Sequence, residues 1–372
     1  FIQKETFNGK LSPHFSERNV PVVICSDDNY AMSMGALVNS ILRNSTEHHN
    51  YDIVVLDNGL SLRSKERIKG LLSNVDNMNV RFFDVNAFSE IKDAYIRPPF
   101  TAATYSRLFI PKLFRDFEKV LFIDTDTVVE SDLAALIETP LGDNLVAAVQ
   151  DIVMEGFVKF GNIAFSDAGE QSSEEYLKTR LGMSETNHYF QGGIIVFNIS
   201  QMNKENTFEK LMAALKGQSY WFLDQDIMNK VFYGRVHFLP LEWNVYHGNG
   251  HTDVFYPNLM FATYMRFLKA RRQPKMIHFA GENKPWNTDK VDFYDNFIKN
   301  IQGTPWEKEV YARLIKTREQ TSSTTLTVQP VLTQTKLKNK LMPHINRFAP
   351  RGTWRRNTLV KCYYKFRRVV LG

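Results

Sequence analysis

The sequence predicts an α/β fold: a mainly parallel sheet flanked by helices. Three observations carry that expectation. Short, apolar, β-branched runs recur along the first two-thirds of the chain. Helix-length amphipathic stretches separate them, as right-handed crossovers between parallel strands require. Clusters of acidic and amide residues fall where the apolar runs end, which is where ligands sit in open α/β sheets.

Val20–Ser26 is the first strand, carrying Pro21 near its start and running into Ser26-Asp27-Asp28-Asn29. Met34, Leu37, Val38, Ile41 and Leu42 follow at helical spacing. Asp52–Leu56 is a second strand, closed by the turn residues Asp57-Asn58-Gly59. Ile68, Leu71 and Leu72 mark the next helix, and Val80–Val85 a third strand. Lys119–Ile123, Leu145–Val149 and Ile194–Phe197 complete the strands. Phe208, Leu211, Met212 and Leu215 form an amphipathic helix with Gly217 beyond its end.

Composition narrows the class. Aromatics make up 13% of the 372 residues, enough for a large core, so pervasive disorder is excluded. Cys25 and Cys362 are the only cysteines, which excludes a disulfide scaffold. No apolar run reaches the roughly 18–20 residues of a membrane-spanning helix. The sequence begins at Phe1 without a charged-then-apolar leader, which sets a cytoplasmic expectation. The net charge of +6 belongs to one end. Residues 318–372 hold 12 Lys and Arg against the single acid Glu319, so the body is slightly acidic and the tail strongly basic. Such an arm suits a phosphate-rich surface.

Neither Gly-x-Gly-x-x-Gly nor Gly-x-x-x-x-Gly-Lys-Ser/Thr occurs. The strongest motif is Val120-Leu-Phe-Ile-Asp124-Thr125-Asp126. Two carboxylates at i and i+2 beyond a buried strand project to one side, and a divalent cation relieves their repulsion. Taken alone, an Asp-x-Asp reads more often as a solvated loop. Lys275-Met-Ile-His278 adds an imidazole, which favours manganese over magnesium or calcium. Gly281 and Lys284 follow, suited to close backbone approach and positive charge at a phosphate. Asp224-Gln225-Asp226 reads equally as a helix start, with Asp224 the N-cap and Asp226 a first-turn acid. Phe190-Gln191-Gly192-Gly193 opens the sixth strand, where glycines admit a ligand or form a bend.

Together and in this order, the segments from Val20 to Trp286 resemble glycosyltransferase family 8, which includes lipopolysaccharide galactosyl- and glucosyltransferases and glycogenins. The resemblance implies a GT-A (Rossmann-like) fold with a mixed, mainly parallel sheet. It implies retaining transfer of a hexose from UDP-galactose or UDP-glucose to a glycan or lipid-linked acceptor, in lipopolysaccharide or cell-surface glycan synthesis. Metal ligands would be Asp124, Asp126 and His278, holding Mn²⁺ or alternatively Mg²⁺. Donor contacts would come from Ser26, Asp27, Asn29, Arg107, Thr125, Gln191, Gly192, Asp224, Gly281 and Lys284. Asp27 and Asn29 would meet the uracil. Gln225 and Asp226 would lie under the anomeric carbon, one as front-face stabiliser, the other as nucleophile. The chain departs from the family's Asn-x-Gly at Gln191-Gly192-Gly193, so the choice of hexose stays open.

The expected organisation is a catalytic domain over 18–300, a helix and polar linker over 301–334, and a basic aromatic tail over 335–372. Leu359, Tyr363, Phe366 and Val370 would share one helical face among the tail's basic residues. That pattern suits an anionic membrane surface rather than nucleic acid, and a peripheral position on the inner face of the cell membrane. Two rival functions remain: a haloacid-dehalogenase-type phosphatase using Asp124 and Asp126, and a non-enzymatic basic-tailed binding module.

Overall fold

The computed structural model describes residues 11–85, 102–167, 169–246 and 259–327. The chain divides into two compact units, residues 1–314 and 315–372. Twelve strands are present among the described residues: β1 (Asn19–Ser26), β2 (Asn50–Asp57), β3 (Met78–Asp84), β4 (Lys119–Ile123), β5 (Thr127–Val129), β6 (Val146–Gln150), β7 (Ile163–Ser166), β8 (Gly169–Ser172), β9 (Phe190–Asn198), β10 (Val236–Leu239), β11 (Val245–Tyr246) and β12 (Met276–His278).

Seven of them make one sheet in the order β10-β6-β9-β4-β1-β2-β3, and β11-β12-β5 make a smaller one. All six strands read from the sequence lie in the large sheet. Six of its strands pair parallel with a neighbour (β3, β2, β1 and β4 in succession, β6 with β10), as the crossovers require. β9 departs from the parallel expectation: it runs antiparallel to both β4 and β6. This reversal matters for the site. Ile194 of β9 pairs with Ile123 of β4, so the start of β9 arrives at the carboxyl end of β4. Gly193 lies just outside that pair, and its carbonyl accepts from the Asp124 N–H at 2.7 Å.

Side chains alternate along the pleat and feed two cores. From β1, Val22 and Ile24 enter one face beside Met34, Leu37, Val38 and Ile41 of helix Ala31–Asn44. Val23 enters the other, with Tyr105, Leu108 and Phe109 of the 3₁₀ segment Ala102–Phe109 and Ile227 and Met228 of helix Leu223–Phe232. Each fully buried leucine or isoleucine contributes about 2 kcal/mol, so the two faces rather than local propensity hold these elements.

The first unit extends past residue 300. Trp306, Val310 and Leu314 are buried in its core, and a Cβ added at Gly35 would lie 2.6 Å from Trp306 Cε3. Only a glycine in that helix admits the indole. Within 301–334, expected to hold a helix and a polar linker, helix Glu307–Thr327 runs on into the polar stretch. The tail lies outside the described residues. Among the described residues, no helix is long and apolar enough to cross a membrane.

Candidate active site

β4 ends at Ile123, and Asp124-Thr125-Asp126 turns the chain into β5. The turn is tied down from three sides. Thr125 Oγ1 donates to the Cys25 carbonyl at 2.5 Å, Ser33 Oγ to the Thr125 carbonyl at 2.9 Å, and Thr127 Oγ1 to the Asp124 carbonyl at 2.9 Å. β12 pairs with β5 so that His278 stands opposite Thr127. This register, which no local pattern announces, delivers the imidazole to the two carboxylates.

Each carboxylate divides its oxygens. Asp124 Oδ1 faces Arg107 Nη1 at 3.3 Å, and Asp126 Oδ2 accepts from Lys284 Nζ at 2.6 Å. The remaining oxygens turn to the imidazole: His278 Nε2 lies 3.2 Å from Asp126 Oδ1 and 3.9 Å from Asp124 Oδ2. His278 Nδ1 is 3.0 Å from Asn244 Oδ1, and Asn244 Nδ2 donates to Gln191 Oε1 at 2.7 Å. Asn244 is thereby oriented as an acceptor toward the ring, which puts the proton on Nδ1 and the lone pair on Nε2. A lone pair and two carboxylate oxygens converging within 4.8 Å of one another form a donor set that fits a divalent cation. Gly193 supplies the room, since a Cβ there would lie 2.8 Å from Asp124 Oδ2.

The electrostatics follow from these contacts. Burial works to raise the Asp126 pKa, but the Lys284 ammonium overcomes it and holds the carboxyl well below the usual range. Burial raises Asp124, with Arg107 opposing. Burial also pushes Asp224 up to about 6, although Arg107 pulls the other way. Arg107 joins several of these groups. Its Nη1 donates to the Gly192 carbonyl at 2.6 Å, its Nε is in contact with Asp224 Oδ2, and its guanidinium lies 4.9 Å from the Phe122 ring centroid.

Helix Leu223–Phe232 carries Asp224-Gln225-Asp226 in its first turn. The residue ahead of it is Phe222, so Asp224 is not the N-cap that the sequence also allowed. Asp226 instead reaches back and accepts from the Phe222 N–H at 2.8 Å. Its carboxylate faces inward, accepting from the Tyr189 hydroxyl at 2.5 Å and the Tyr176 hydroxyl at 2.7 Å. Gln225 points the other way. Its Oε1 accepts from the Gly192 N–H at 2.7 Å, and its Nε2 donates to Asp151 Oδ2 and to the Tyr189 hydroxyl, each at 3.1 Å.

A cleft of about 370 Å³ opens beside the carboxylates, lined by Ser26, Asp27, Asn29, Tyr30, Arg107, Asp124, Thr125 and Asp126 among others. Asp27 shapes its rim by accepting from the N–H groups of Asn29 and Tyr30 at 2.9 and 3.2 Å. Asp28 turns away and binds the Ser61 N–H at 3.0 Å. Lys284 Nζ also donates to the Phe279 carbonyl at 2.8 Å and lies 5.8 Å from the ring centroids of both Tyr30 and Trp286. Gly281 has φ +90°, a conformation that favours glycine.

The structure thus gathers Arg107, Asp124, Asp126, Gln191, Gly192, Asp224, Gln225, His278 and Lys284 around one strand end, with Ser26, Asp27, Asn29 and Thr125 lining the adjoining cleft. Sequence reasoning did not single out Gly193, Asn244, Asp151, Tyr189 or Tyr176 as site residues. Asp151 was within reach, because it follows directly on β6 and caps helix Ile152–Phe160. Asn244 sits after a short 3₁₀ turn and carries no such signal.

Comparisons with known proteins agree with this geometry. The family described as Glycosyl transferase family 8 matches residues 21–290. General stress protein A of Bacillus subtilis is 26% identical, over 77% of this chain and 94% of its own. The lipopolysaccharide 1,2-glucosyltransferase of Escherichia coli is 23% identical, over 76% and 78% respectively. The apo structure of WbbM, described as a bifunctional glycosyltransferase, superimposes with a TM-score of 0.79 at 62% identity. That match covers 85% of this chain, which spans only about half, 55%, of the WbbM chain.

Proposed function

The chain belongs to glycosyl transferase family 8, and from that premise we propose that it transfers a hexose from UDP-galactose or UDP-glucose to a glycan or lipid-linked acceptor, with retention of anomeric configuration. The observation that supports this reading most strongly is the Asp124–Asp126–His278 cluster at the mouth of a polar cleft. A phosphatase of the haloacid-dehalogenase type would leave His278, Arg107 and Gln225 without a task.

In this account Asp27 and Asn29 receive the uracil, while Ser26 and Thr125 line the path to the diphosphate. Asp124, Asp126 and His278 would hold manganese, with magnesium the alternative. A cation bound there offsets the charge that develops on departing UDP. Lys284 adds positive charge beside Asp126, and Gly281 allows the backbone to approach the phosphates closely. Arg107, Asp224, Gln191 and Gly192 orient the sugar hydroxyls. Gln225 presents its amide to the reacting face, where its carbonyl dipole stabilises positive charge on the anomeric carbon. Both Asp226 oxygens are occupied by hydroxyl and N–H donors, so a double displacement through it would first have to break those bonds. The front-face route through Gln225 keeps the bond from the Gly192 N–H in place, because a carbonyl oxygen with that one donor has a second lone pair to offer.

Similarity to a lipopolysaccharide glucosyltransferase supports a place in cell-surface glycan synthesis. The basic aromatic tail would then hold the enzyme at an anionic membrane surface on the cytoplasmic side. UDP binding tests the site directly. UDP is expected to raise the melting temperature in Mn²⁺ and not in EDTA, and a UDP-induced shift of the same size in EDTA would overturn the metal-assisted reading.

A further inference from the structure

Beneath Gln225 lies a buried polar cluster that the transfer account leaves unused: Tyr176, Tyr189 and Asp226, none more than 1% exposed. With Asp226 ionised, its hydrogen bonds allow one arrangement of protons. An ionised carboxylate only accepts, and a tyrosine hydroxyl has one proton to give. Tyr189 gives its proton to Asp226 Oδ1 at 2.5 Å, so toward Gln225 Nε2, 3.1 Å away, it acts as an acceptor. Tyr176 gives its proton to Asp226 Oδ2 and accepts from the Trp221 N–H at 2.9 Å.

The direction of these bonds fixes the Gln225 amide. Its nitrogen must face Tyr189 and Asp151, and its oxygen must face the Gly192 N–H. A half-turn of the amide would set two donors together at Gly192 and two acceptors together at Asp151. Asp226 also steadies the backbone in front of Gln225. It binds the Phe222 N–H, next to Leu223, which is buried with a left-handed φ of +50°. Such a conformation in a bulky residue persists only where its surroundings enforce it.

We propose that Asp226 and Tyr189 are positioning residues for the transfer reaction, acting in series to hold the Gln225 carbonyl oxygen toward Gly192. This inference rests on the reading of Gln225 given above. It makes the second acid of Asp224-Gln225-Asp226 a fixed acceptor behind the working residue.

A double-mutant cycle tests it, using Mn²⁺ and whichever of UDP-galactose or UDP-glucose the enzyme hydrolyses. Tyr189→Phe is expected to lower kcat about tenfold or more, since small displacements of a reacting group cost that much, while the donor KM stays unchanged. In a Gln225→Ala background the same substitution should change kcat by no more than about twofold. An equal loss in both backgrounds, or a change in KM alone, overturns the inference and leaves the Gln225 reading standing. If Gln225→Ala by itself keeps full kcat, that reading fails and the inference falls with it. Should Tyr189→Phe not fold, Asp226→Asn is read in the same cycle against the same outcomes.

Discussion

Gly193 and His278 pack so closely that a Cβ on the glycine would lie 2.5 Å from the imidazole Cε1. The same Cβ would also crowd Asp124 and Gln191, so the neighbours on three sides leave it no space. Gly193→Ala is therefore expected to displace the metal ligands while the sheet remains intact. Mn²⁺ affinity should fall at least about tenfold, with a stability loss of about 1–3 kcal/mol from overpacking. Titration calorimetry with Mn²⁺ and thermal unfolding read the two effects separately.

On the proposed function, the Arg107–Asp224 pair is expected to make donor handling pH-dependent. Burial lifts the Asp224 pKa to about 6, so the carboxylate that faces Arg107 is lost as pH falls through that value. The donor kcat/KM should drop on the acid side of about pH 6. Asp224→Asn should give a low value with a weaker inflection there, since Asp151 beside Gln225 titrates in the same range, and a pH profile of both proteins checks this.

Asp151 carries a cost that can be relieved. Its side chain caps helix Ile152–Phe160 and accepts from Gln225, yet burial raises its pKa from 3.8 to about 6. A carboxyl whose folded pKa is raised destabilises the fold above its unfolded value. The cost is absent near pH 3, grows between pH 4 and 6, and is full above that. Asn keeps the capping oxygen and removes the charge. Relative to wild type, Asp151→Asn should thus be about 1–2 kcal/mol more stable at pH 8 than at pH 3, the lost Gln225 contact costing the same at both. It should also lower kcat, because its amide would present a second donor to Gln225 Nε2. Denaturant unfolding at the two pH values, with kinetics at pH 8, tests both halves.

What the sequence made legible were the features written in local pattern. Apolar runs located all six strands of the large sheet that they were read for, and Asp124, Asp126 and His278 stood out by their place at strand ends together with the other motifs in one order. What stayed hidden depends on pairing across the chain. The antiparallel entry of β9 brings Gly193 to Asp124, and β9 has the same apolar composition as its parallel neighbours. β5, β11 and β12 have only two or three residues each, too few for a periodic signal. Tyr176 and Tyr189 meet Asp226 from sequence distances of 50 and 37 residues, and nothing local marks either. Helix Glu307–Thr327 continues into a Thr- and Ser-rich stretch that composition alone assigns to a linker.

The central claim is that Asp124, Asp126 and His278 hold a divalent cation for UDP-hexose transfer, and release of UDP measures it most directly. UDP-galactose and UDP-glucose are each incubated with wild type, Asp126→Asn and His278→Ala, in Mn²⁺ and in EDTA. One of the two donors should be cleaved by wild type in Mn²⁺ alone, with both variants reduced at least about a hundredfold at unchanged melting temperature. Undiminished turnover in EDTA, or wild-type rates from Asp126→Asn, would contradict the account.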